Sequence, residues 1–391
     1  MMRLNDREWK CFNFVDVFDI QKGFYNKKPE TSEAEQIPFL GATANNNGVT
    51  GWCSLKAIEN ASRTGDDKNE PMSRKMFSGG CIAVTNNGSV GHAYYWPHEF
   101  TCSHDINPLF LKDRGLNTYL AMFLIGAIEK QAVCFEYARK WRPARMVKSR
   151  IMLPVADDGQ PDYQFMEDYI RELMDEKKKQ YRGYVKKRIA ELCSVPGDQQ
   201  VDWKSMIDSH EWEPFQIDTI FNILPGKRLV AADSTPGDRP FIGALDNSNG
   251  VARFVSDKNE SLDKNVLGVN YNGNGMVIGF YHPYECIFSD DVKRFHLKDR
   301  EDDPFVLLFM KTAILMQKQK FGYLYKFNAD RMAHTSIMLP VTDTGEPDYD
   351  FMEQFGRKMM AKKYHQYLGF LKLNDLPSVR TIPLKMNDTP L

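Results

Sequence analysis

The chain has 391 residues, a length that suits about two or three domains, and 42% of them are hydrophobic, enough to form buried cores. Its formal net charge is −1, from 51 Lys and Arg against 52 Asp and Glu, which excludes a strongly basic nucleic-acid-binding protein. Any surface for DNA must therefore come from local clusters of charge. The seven cysteines form no C-x-x-C pair, which argues against a disulfide framework or a zinc ribbon and indicates a reducing compartment.

The N-terminal segment has no basic region followed by an apolar run, so we expect no signal peptide. The longest apolar run, residues 119–128, has about half the length that a bilayer requires. A buried helix is the interpretation we favour for this run. We expect a cytoplasmic protein that does not contact a membrane.

A long internal repeat decides the predicted architecture. Residues 151–167 (IMLPVADDGQPDYQFME) and 337–353 (IMLPVTDTGEPDYDFME) are identical at 13 of 17 positions, with an offset of 186 residues. A period of this length indicates a duplicated domain, because solenoid repeats are much shorter. Two similar domains in one chain suit a ligand that itself has two similar parts.

Shorter matches extend the repeat towards the N-terminus. At the same offset, the recurring residues include Ser103 with Ser289, Asp105 with Asp291, Lys140 with Lys326, and Arg145 with Arg331. Further back the offset becomes 202–203, where Trp9 matches Trp212 and Gly23 matches Gly226. The change of offset indicates insertions in the first copy, and the polar stretch 62–73 is the place we expect for much of this extra sequence, as a surface loop.

Each copy ends in a segment with helical periodicity. In the first copy we predict an N-cap at Asp162, an apolar stripe that continues to Ile189, and an end near Pro196-Gly197. In the second copy the stripe starts after Asp348, and Gly356 weakens that helix by about 1 kcal/mol relative to Ala. Because the stripes are longer than those of an average globular helix, we predict that the two helices pair antiparallel. Packing of each helix on its own domain is the alternative.

These patterns predict an α/β (α+β) fold with two homologous domains, each followed by a long helix. The predicted boundaries are 1–160 for the first domain, 161–195 for the first helix, 196–346 for the second domain, 347–375 for the second helix and 376–391 for a C-terminal tail.

Known catalytic motifs are missing or incomplete in this sequence. It has no nucleotide-binding glycine fingerprint, zinc-protease motif or nucleophile elbow. Residues 107–110 (NPLF) are only faintly similar to the N-P-P-[YF] loop of amino-methylating DNA methyltransferases, because the second proline is absent. Pro161-Asp162 and Glu176-Lys177-Lys178 match a nuclease pattern, but the two acids would lie about 21 Å apart on one helix and cannot share a metal ion.

A metal site is also not indicated. Cys102, His104 and His98 are too few ligands of uncertain geometry, and we interpret them as a packed cysteine and surface histidines. We therefore predict no catalytic residue, no metal site and no bound cofactor in this chain.

The segment 139–150 is the best candidate for DNA contacts, since it holds six cations and no acid, with Tyr137 and Trp141 interleaved or adjacent. Such cations suit phosphate contacts, and an arginine can also pair with guanine. A solvated loop is the alternative. The predicted DNA contacts of this group are Arg139, Lys140, Arg142, Arg145 and Lys148 in the first copy, and Lys326, Arg331 and His334 in the second. The recurrence of Arg145 as Arg331, beside neighbours that differ, favours two readers of different sequences.

Asn-rich loops form a second group of candidates. Asn-Gly pairs are first of all turns, because both residues tolerate positive φ, and a minority of these amides would reach adenine. The polar residues predicted to contact DNA are Asn46, Asn86, Asn87, Ser89, Asn272 and Asn274. Lys22 before Gly23, and Lys227 and Arg228 after Gly226, are phosphate candidates at equivalent ends of a predicted strand.

The predicted strand 14–23 (FVDVFDIQKG) with its counterpart 216–227, the IPFLGATANNNGV and RPFIGALDNSNGV segments, and the two runs that end in IMLPV occur in a duplicated order. This order resembles the DNA-specificity (S) subunits of type I restriction–modification systems and the related subunits of type IIB systems. The resemblance covers about residues 10–370. The near-neutral charge and Gly356 are departures from the family pattern.

The resemblance implies two target-recognition domains that each read half of a bipartite site in double-stranded DNA, and paired helices that set the gap between the halves. It implies no catalytic residues here. S-adenosylmethionine and Mg²⁺ would belong to the methyltransferase and restriction subunits that this chain recruits. The alternatives are a duplicated nuclease or methyltransferase, and a protein scaffold that does not bind DNA.

Overall fold

The structure is a computed structural model that describes residues 2–66, 70–135, 139–192, 203–273, 275–322 and 324–374. It divides into two compact units, Met1–Gln180 and Tyr181–Leu391. The predicted helix end at Pro196-Gly197 and the predicted tail 376–391 lie outside the described residues.

The elements of the first copy are, in chain order, β1 (Trp9–Asn13), α1 (Phe14–Val17), β2 (Phe18–Ile20), β3 (Ile37–Leu40), β4 (Val49–Cys53), α2 (Leu55–Asn60), α3 (Met72–Lys75), β5 (Met76–Phe77), β6 (Cys81–Thr85), β7 (Ala93–Trp96), β8 (Phe100–Cys102), β9 (Ile106–Leu111), α4 (Thr118–Ala132), α5 (Pro143–Met146), β10 (Arg150–Pro154) and α6 (Tyr163–Leu192).

The elements of the second copy are α7 (Trp203–Asp208), β11 (Trp212–Gln216), α8 (Ile217–Ile220), β12 (Phe221–Pro225), β13 (Pro236–Ile242), β14 (Val251–Val255), β15 (Val266–Asn270), β16 (Gly279–His282), β17 (Ile287–Phe288), β18 (Val292–Leu297), α9 (Pro304–Leu315), α10 (Ala329–Ala333), β19 (Ser336–Pro340) and α11 (Tyr349–Asn374).

The two copies have the same topology, apart from the edge strand β5 of the first copy. The first contains sheets of order β2-β9-β6-β7 and β4-β3-β8-β5, and the second contains β12-β18-β15-β16 and β14-β13-β17. In each copy the N-terminal strand also pairs antiparallel with the last strand, β1 with β10 and β11 with β19. Even the register recurs, since Trp9 faces Pro154 and Trp212 faces Pro340. The predicted duplication of an α+β domain is therefore confirmed.

Each copy has its own hydrophobic core between its four-stranded sheet and the helix that follows it. In the first, Ile82 of β6 and Leu124 of α4 are fully buried, and in the second Phe295 of β18 and Leu307 of α9 are fully buried. Burial of one such side chain contributes about 1.5–3 kcal/mol. Each sheet and its helix are thus held together by burial of apolar area within one copy.

The prediction of a single strand over residues 14–23 is wrong. Phe14–Val17 forms a helical turn, and the strand covers only Phe18–Ile20. The second copy repeats this arrangement, with a helical turn at Ile217–Ile220. The reason is the spacing of the buried residues: Phe14 and Val17 are three positions apart, which places both on one face of a helical turn.

The insertion in the first copy is more than a surface loop. Residues 72–77 form α3 and β5, and β5 pairs with β8 at the edge of a sheet. Lys75 is fully buried, and its Nζ donates hydrogen bonds to the carbonyl oxygens of Ile58 and Glu59, at 3.0 and 2.8 Å. Residues 63–66 of the predicted loop 62–73 are exposed, as expected, whereas the chain returns to the core at Lys75, because an ammonium group is buried only where it finds such acceptors.

Both long helices begin where the sequence predicts. The Asp162 carboxylate accepts a hydrogen bond from the backbone N–H of Phe165 at 2.9 Å, and Asp348 accepts one from Phe351 at 2.8 Å. These are N-caps, which typically stabilise a helix by about 1 kcal/mol. Arg7 also donates to Asp162 at 2.8 Å. The Pro-Asp pairs therefore start helices, as predicted.

The last part of α6 pairs with α11 inside the second unit. The ring centroids of Tyr181 and Tyr367 are 5.0 Å apart, and those of Tyr184 and Tyr364 are 6.3 Å apart. Residue numbers rise along one helix while they fall along the other, so the pairing is antiparallel, as predicted. Close to this seam, a Cβ on Gly356 would lie 2.7 Å from the Cβ of Phe305, so this glycine lets α11 approach α9.

Candidate nucleic-acid interface

Several of the predicted contact residues converge at one end of each four-stranded sheet. Because β9 is antiparallel to β2 and β6, the ends of β2 and β6 lie beside the start of β9. The N–H of Gly23 donates to Ile106 at 3.0 Å, and the N–H of Asn86 donates to Asp105 at 2.8 Å. The second copy brings the ends of β12 and β15 to the start of β18 in the same way.

We call these sites the strand-end clusters. They consist of Lys22, Asn87, Asp105 and Arg142 in the first domain, and of Lys227, Asn272 and Asp291 in the second.

Glycine is required where the chain enters each cluster. A Cβ on Gly23 would lie 2.0 Å from the carbonyl oxygen of Ser103, and one on Gly226 would lie 1.9 Å from that of Ser289. No real side chain tolerates this distance to a backbone atom. The recurrence of these two glycines therefore reflects a close approach of two chain segments.

The lysines next to these glycines are exposed. In the second domain, Lys227 lies 3.1 Å from Glu260 and Arg228 lies 3.6 Å from Asp290. Exposed ion pairs of this kind add little to stability and exchange readily for other partners. Lys22, Lys227 and Arg228 therefore remain predicted phosphate contacts.

An Asn–Asp hydrogen bond recurs in both clusters. The Nδ2 of Asn87 donates to the Oδ1 of Asp105 at 2.9 Å, and the Nδ2 of Asn272 donates to the Oδ1 of Asp291 at 2.9 Å. The backbone N–H of each aspartate also donates a hydrogen bond to the hydroxyl of the serine two residues earlier, which fixes the turn. The sequence prediction missed both aspartates, although their recurrence at an offset of 186 was the available signal.

The prediction of a DNA contact is wrong for Asn86. Its side chain is fully buried, and Nδ2 donates to the carbonyl oxygen of His104 at 3.1 Å and to Oδ1 of Asn107 at 2.6 Å. Asn107 in turn donates to the carbonyl oxygen of Gln21 at 2.7 Å. These amides fasten three strand ends together, so the 107–110 segment has a structural role. Asn274 lies outside the described residues.

The other Asn-rich loops are turns, as predicted. Asn46 and Asn47 have φ values of 51° and 50°, and the equivalent Ser248 and Asn249 have 50° and 53°. Asn46 is exposed, and its amide donates to the carbonyl oxygen of Val49 at 3.3 Å. Ser89 lies in the turn between β6 and β7. DNA contacts by Asn46 and Ser89 stay predictions.

The recurring arginines of the basic segment have a structural partner in both copies. The Nη1 of Arg145 donates to the carbonyl oxygen of Lys140 at 2.7 Å, and that of Arg331 donates to Lys326 at 2.9 Å. The Arg331 guanidinium also lies 3.9 Å from the centroid of the Tyr325 ring. This shared hydrogen bond explains their recurrence without DNA. Phosphate contacts by Arg145, Arg331 and the two lysines stay predictions.

Of the other residues in the basic segment 139–150, some lie in the core and some lie on the surface. Trp141 is fully buried, stacks on Phe135 at 4.9 Å and donates to the hydroxyl of Ser149, so it belongs to the core and is not an aromatic platform for DNA. Tyr137 lies outside the described residues. Arg139 and Lys148 are exposed, and Arg142 joins the strand-end cluster through Asp105 at 3.4 Å.

The second copy uses the equivalent positions differently. Asn328, which corresponds to Arg142, caps α10 by accepting a hydrogen bond from the N–H of Arg331 at 2.9 Å. His334 is exposed, and the hydrogen bond between its Nδ1 and the carbonyl oxygen of Asp330, 2.8 Å, raises its pKa. A raised pKa favours the cationic form that a phosphate contact would need.

A metal site is not assembled in the part of the chain that the structure describes. There, no group of three or more His, Cys, Asp or Glu side chains is placed to hold a metal ion. Cys102 is fully buried, and burial raises the pKa of its thiol, so it is a packed residue as predicted. Among the described helices, none has the length and apolar character needed to cross a membrane.

Comparison with known proteins agrees with this duplicated architecture. The model of the family described as "Type I restriction modification DNA specificity domain" matches residues 6–181 and 209–366. A curated relative, the "Type II restriction enzyme BgcI specificity subunit S.BcgI" of Heyndrickxia coagulans, is 34% identical over 355 residues, which cover 91% of this chain and 95% of that protein. The chain therefore belongs to the type I restriction modification DNA specificity domain family, with two copies of the domain, as a specificity subunit of a restriction–modification system.

Two solved structures are also similar to this chain. The S subunit of a type I restriction–modification system from M. genitalium aligns with a TM-score of 0.47 and 14% identity, covering 97% of this chain and 99% of that one. The HsdS subunit from Thermoanaerobacter tengcongensis aligns with a TM-score of 0.30 and 12% identity, covering 95% and 92%.

Proposed function

We propose that the chain reads a bipartite site in double-stranded DNA in the cytoplasm, one half with each domain, and that it has no catalytic activity of its own. Methylation and cleavage belong to separate methyltransferase and restriction subunits, which bind S-adenosylmethionine and Mg²⁺. The observation that carries this proposal is the recurrence of the strand-end cluster in both domains with different neighbours, Arg142 in one and Asn328 in the other. A common frame with different polar residues suits two readers of different half-sites.

The second part of the proposal is that α6 and α11 set the gap between the half-sites. The aromatic contacts of Tyr181 with Tyr367 and of Tyr184 with Tyr364 support it, because they brace the helices against each other. A helix rises about 1.5 Å per residue, and B-DNA rises about 3.4 Å per base pair. An insertion of seven residues, about two turns, would therefore lengthen the gap by about three base pairs.

The test inserts seven residues into α6 and seven into α11, at facing positions, and identifies the sequences that the complex with its methyltransferase modifies. We expect the same two half-sites with a gap about three base pairs longer. A control inserts seven residues into the turn 157–160, outside both helices, and should keep the original gap. Altered half-site sequences with an unaltered gap would contradict the division of labour between domains and helices.

Activity of the purified chain alone provides a separate test. Cleavage or methyl transfer without any added subunit would refute the non-catalytic role and favour a duplicated enzyme. Modification or protection without sequence preference would favour a scaffold that does not read DNA.

The partner subunits are expected to bind surfaces that both copies share. Met152 and Met338 occupy equivalent positions in β10 and β19 and are 44% and 47% exposed, so burial in a core does not account for their recurrence. Arg114 lies 4.8 Å from the ring of Tyr163, and Arg300 lies 4.5 Å from that of Tyr349. These pairs follow the ends of β9 and β18, opposite the strand-end clusters. A shared exposed surface is what binding of the same methyltransferase subunit by each copy would require.

A further inference from the structure

The two strand-end clusters differ at one point that bears on base specificity. Both contain the Asn–Asp hydrogen bond, and in the first an arginine, Arg142, also approaches the aspartate. At the equivalent position of the second domain, the side chain of Asn328 caps a helix. The shared pair therefore forms a frame to which the first domain adds a guanidinium group.

One oxygen of the Asp105 carboxylate lies close to three side-chain nitrogens. Its Oδ1 lies 2.9 Å from Nδ2 of Asn87, 3.3 Å from Nε2 of His104 and 3.4 Å from Nη1 of Arg142. The aspartate side chain is 22% exposed, whereas that of Arg142 is 37% exposed. The partly buried carboxylate is thus ion-paired with one Nη of a guanidinium group that still reaches solvent. Since the guanidinium carries five N–H donors, one anchored corner leaves a fork for another partner.

We propose that Asp105 is a positioning residue that holds Arg142 to read a guanine in the half-site of the first domain, and that the second domain has no such reader at the equivalent position. This inference rests on the proposed function. An arginine fork pairs with O6 and N7 of guanine in the major groove. A fork that is anchored before binding loses less conformational freedom when it pairs.

The aspartate favours a base over a phosphate as the partner of Arg142. A phosphate at this place would bring a second negative charge towards Asp105, and the two anions repel each other. The edge of a G·C pair has the opposite effect, because guanine offers neutral acceptors to the arginine and cytosine N4 offers a donor that a carboxylate accepts. Asp105 and Arg142 together therefore complement a base pair and do not complement the DNA backbone.

The experiment uses the full chain with its methyltransferase subunit on a pool of randomised DNA, and reads the base frequencies of the methylated sites. For Asp105→Asn we expect the preference for guanine at one position of the first half-site to fall at least fivefold. Arg142→Lys keeps the charge but not the fork, and should abolish the same preference. A good bidentate pair discriminates by about 5-fold to 150-fold, which sets this range. The second half-site should be unchanged in both variants.

The control is Asp19→Asn, which removes the same charge from an exposed position of β2 and should leave every base preference unchanged. Thermal unfolding of each variant separates loss of folding from loss of reading. If Asp105→Asn unfolds the domain, Arg142→Lys carries the test.

Three results would overturn the inference. An unchanged guanine preference in a folded Asp105→Asn variant would show that the aspartate does not position Arg142. If Arg142→Lys weakened methylation equally on all DNA sequences, the arginine would contact a phosphate and not a base. A wild-type complex that modifies DNA without any preferred motif would instead refute the proposed function, which the first two results leave intact.

Discussion

A partly buried histidine between two carboxylates makes the stability of the second domain dependent on pH. The Nε2 of His296 lies 2.9 Å from Oδ2 of Asp263, and its Nδ1 lies 2.6 Å from Oδ2 of Asp302. The hydrogen bond to Asp263 and, after it, the one to Asp302 raise the pKa of His296 to about 9, because both carboxylates accept from the protonated ring. Arg294 also donates to Asp263, at 2.8 Å. The first domain has Phe110 at the position of His296 and so lacks this network.

The size of the effect follows from the shift of the pKa. A rise from the ordinary value of 6.5 to about 9 means that the folded domain favours the protonated imidazole. Each pKa unit corresponds to about 1.4 kcal/mol, so the network contributes about 3 kcal/mol when fully protonated. Because the folded pKa is raised, this stability is fully present below pH 6.5. It is lost as the pH rises through about 9.

The free energy of unfolding, measured by denaturant titration between about pH 6 and pH 10, tests this reasoning in wild type and in His296→Phe. The wild-type second domain should lose about 3 kcal/mol over this range, beyond any change shared with the first domain. His296→Phe should lack that loss, and at pH 6 it should already be destabilised by a similar amount, because Asp302 loses the cation bound to it and Asp263 keeps only Arg294. His365→Phe, at an exposed position of α11, is the control. Parallel pH profiles of wild type and His296→Phe would refute the assignment.

Two further predictions concern features that both copies share. Gly226→Ala should destabilise the second domain by about 2 kcal/mol or more, because the new Cβ would lie 1.9 Å from a backbone oxygen. The control, Gly115→Ala, has open space around it and should leave the melting temperature unchanged. Equal melting temperatures of the two variants would contradict the close approach at Gly226. Met152→Glu combined with Met338→Glu should weaken methyltransferase binding at least tenfold in a pull-down titration. Met122→Glu, equally exposed but not repeated, should bind normally, and identical binding by all three proteins would remove the shared docking surface.

The parts of the fold that the sequence predicts are those governed by local chemistry and by the repeat. The helix starts at Asp162 and Asp348 follow from capping residues before an apolar stripe. The common topology follows from the duplicated order of motifs. The helical turn at Phe14–Val17 was not predictable from alternation alone, because four residues with apolar ends fit a strand as well as a single turn.

In the candidate site, the sequence does not predict which of two similar side chains is buried. Asn86 and Asn87 are adjacent and chemically identical, yet one is buried and the other belongs to the strand-end cluster. Their partners, Asn107 and Asp105, come from a strand about 20 residues away, so only the strand pairing determines which amide is buried. The prediction that Trp141 lies among the DNA contacts failed for the same reason, since its stacking on Phe135 depends on how the basic segment returns to the core.

The comparison of the two copies separates what the fold needs from what each domain adds. Gly23 with Gly226 and Asp105 with Asp291 recur because they shape the strand ends, and a change there would damage either domain. Arg142 is replaced by Asn328 without any loss of that shape, because it extends from a frame that is complete without it. Under the proposed function, specificity carried by such added side chains can change while the frame, the core and the helix pairing stay the same. In one chain this allows two half-sites of different sequence to be read by domains with the same topology.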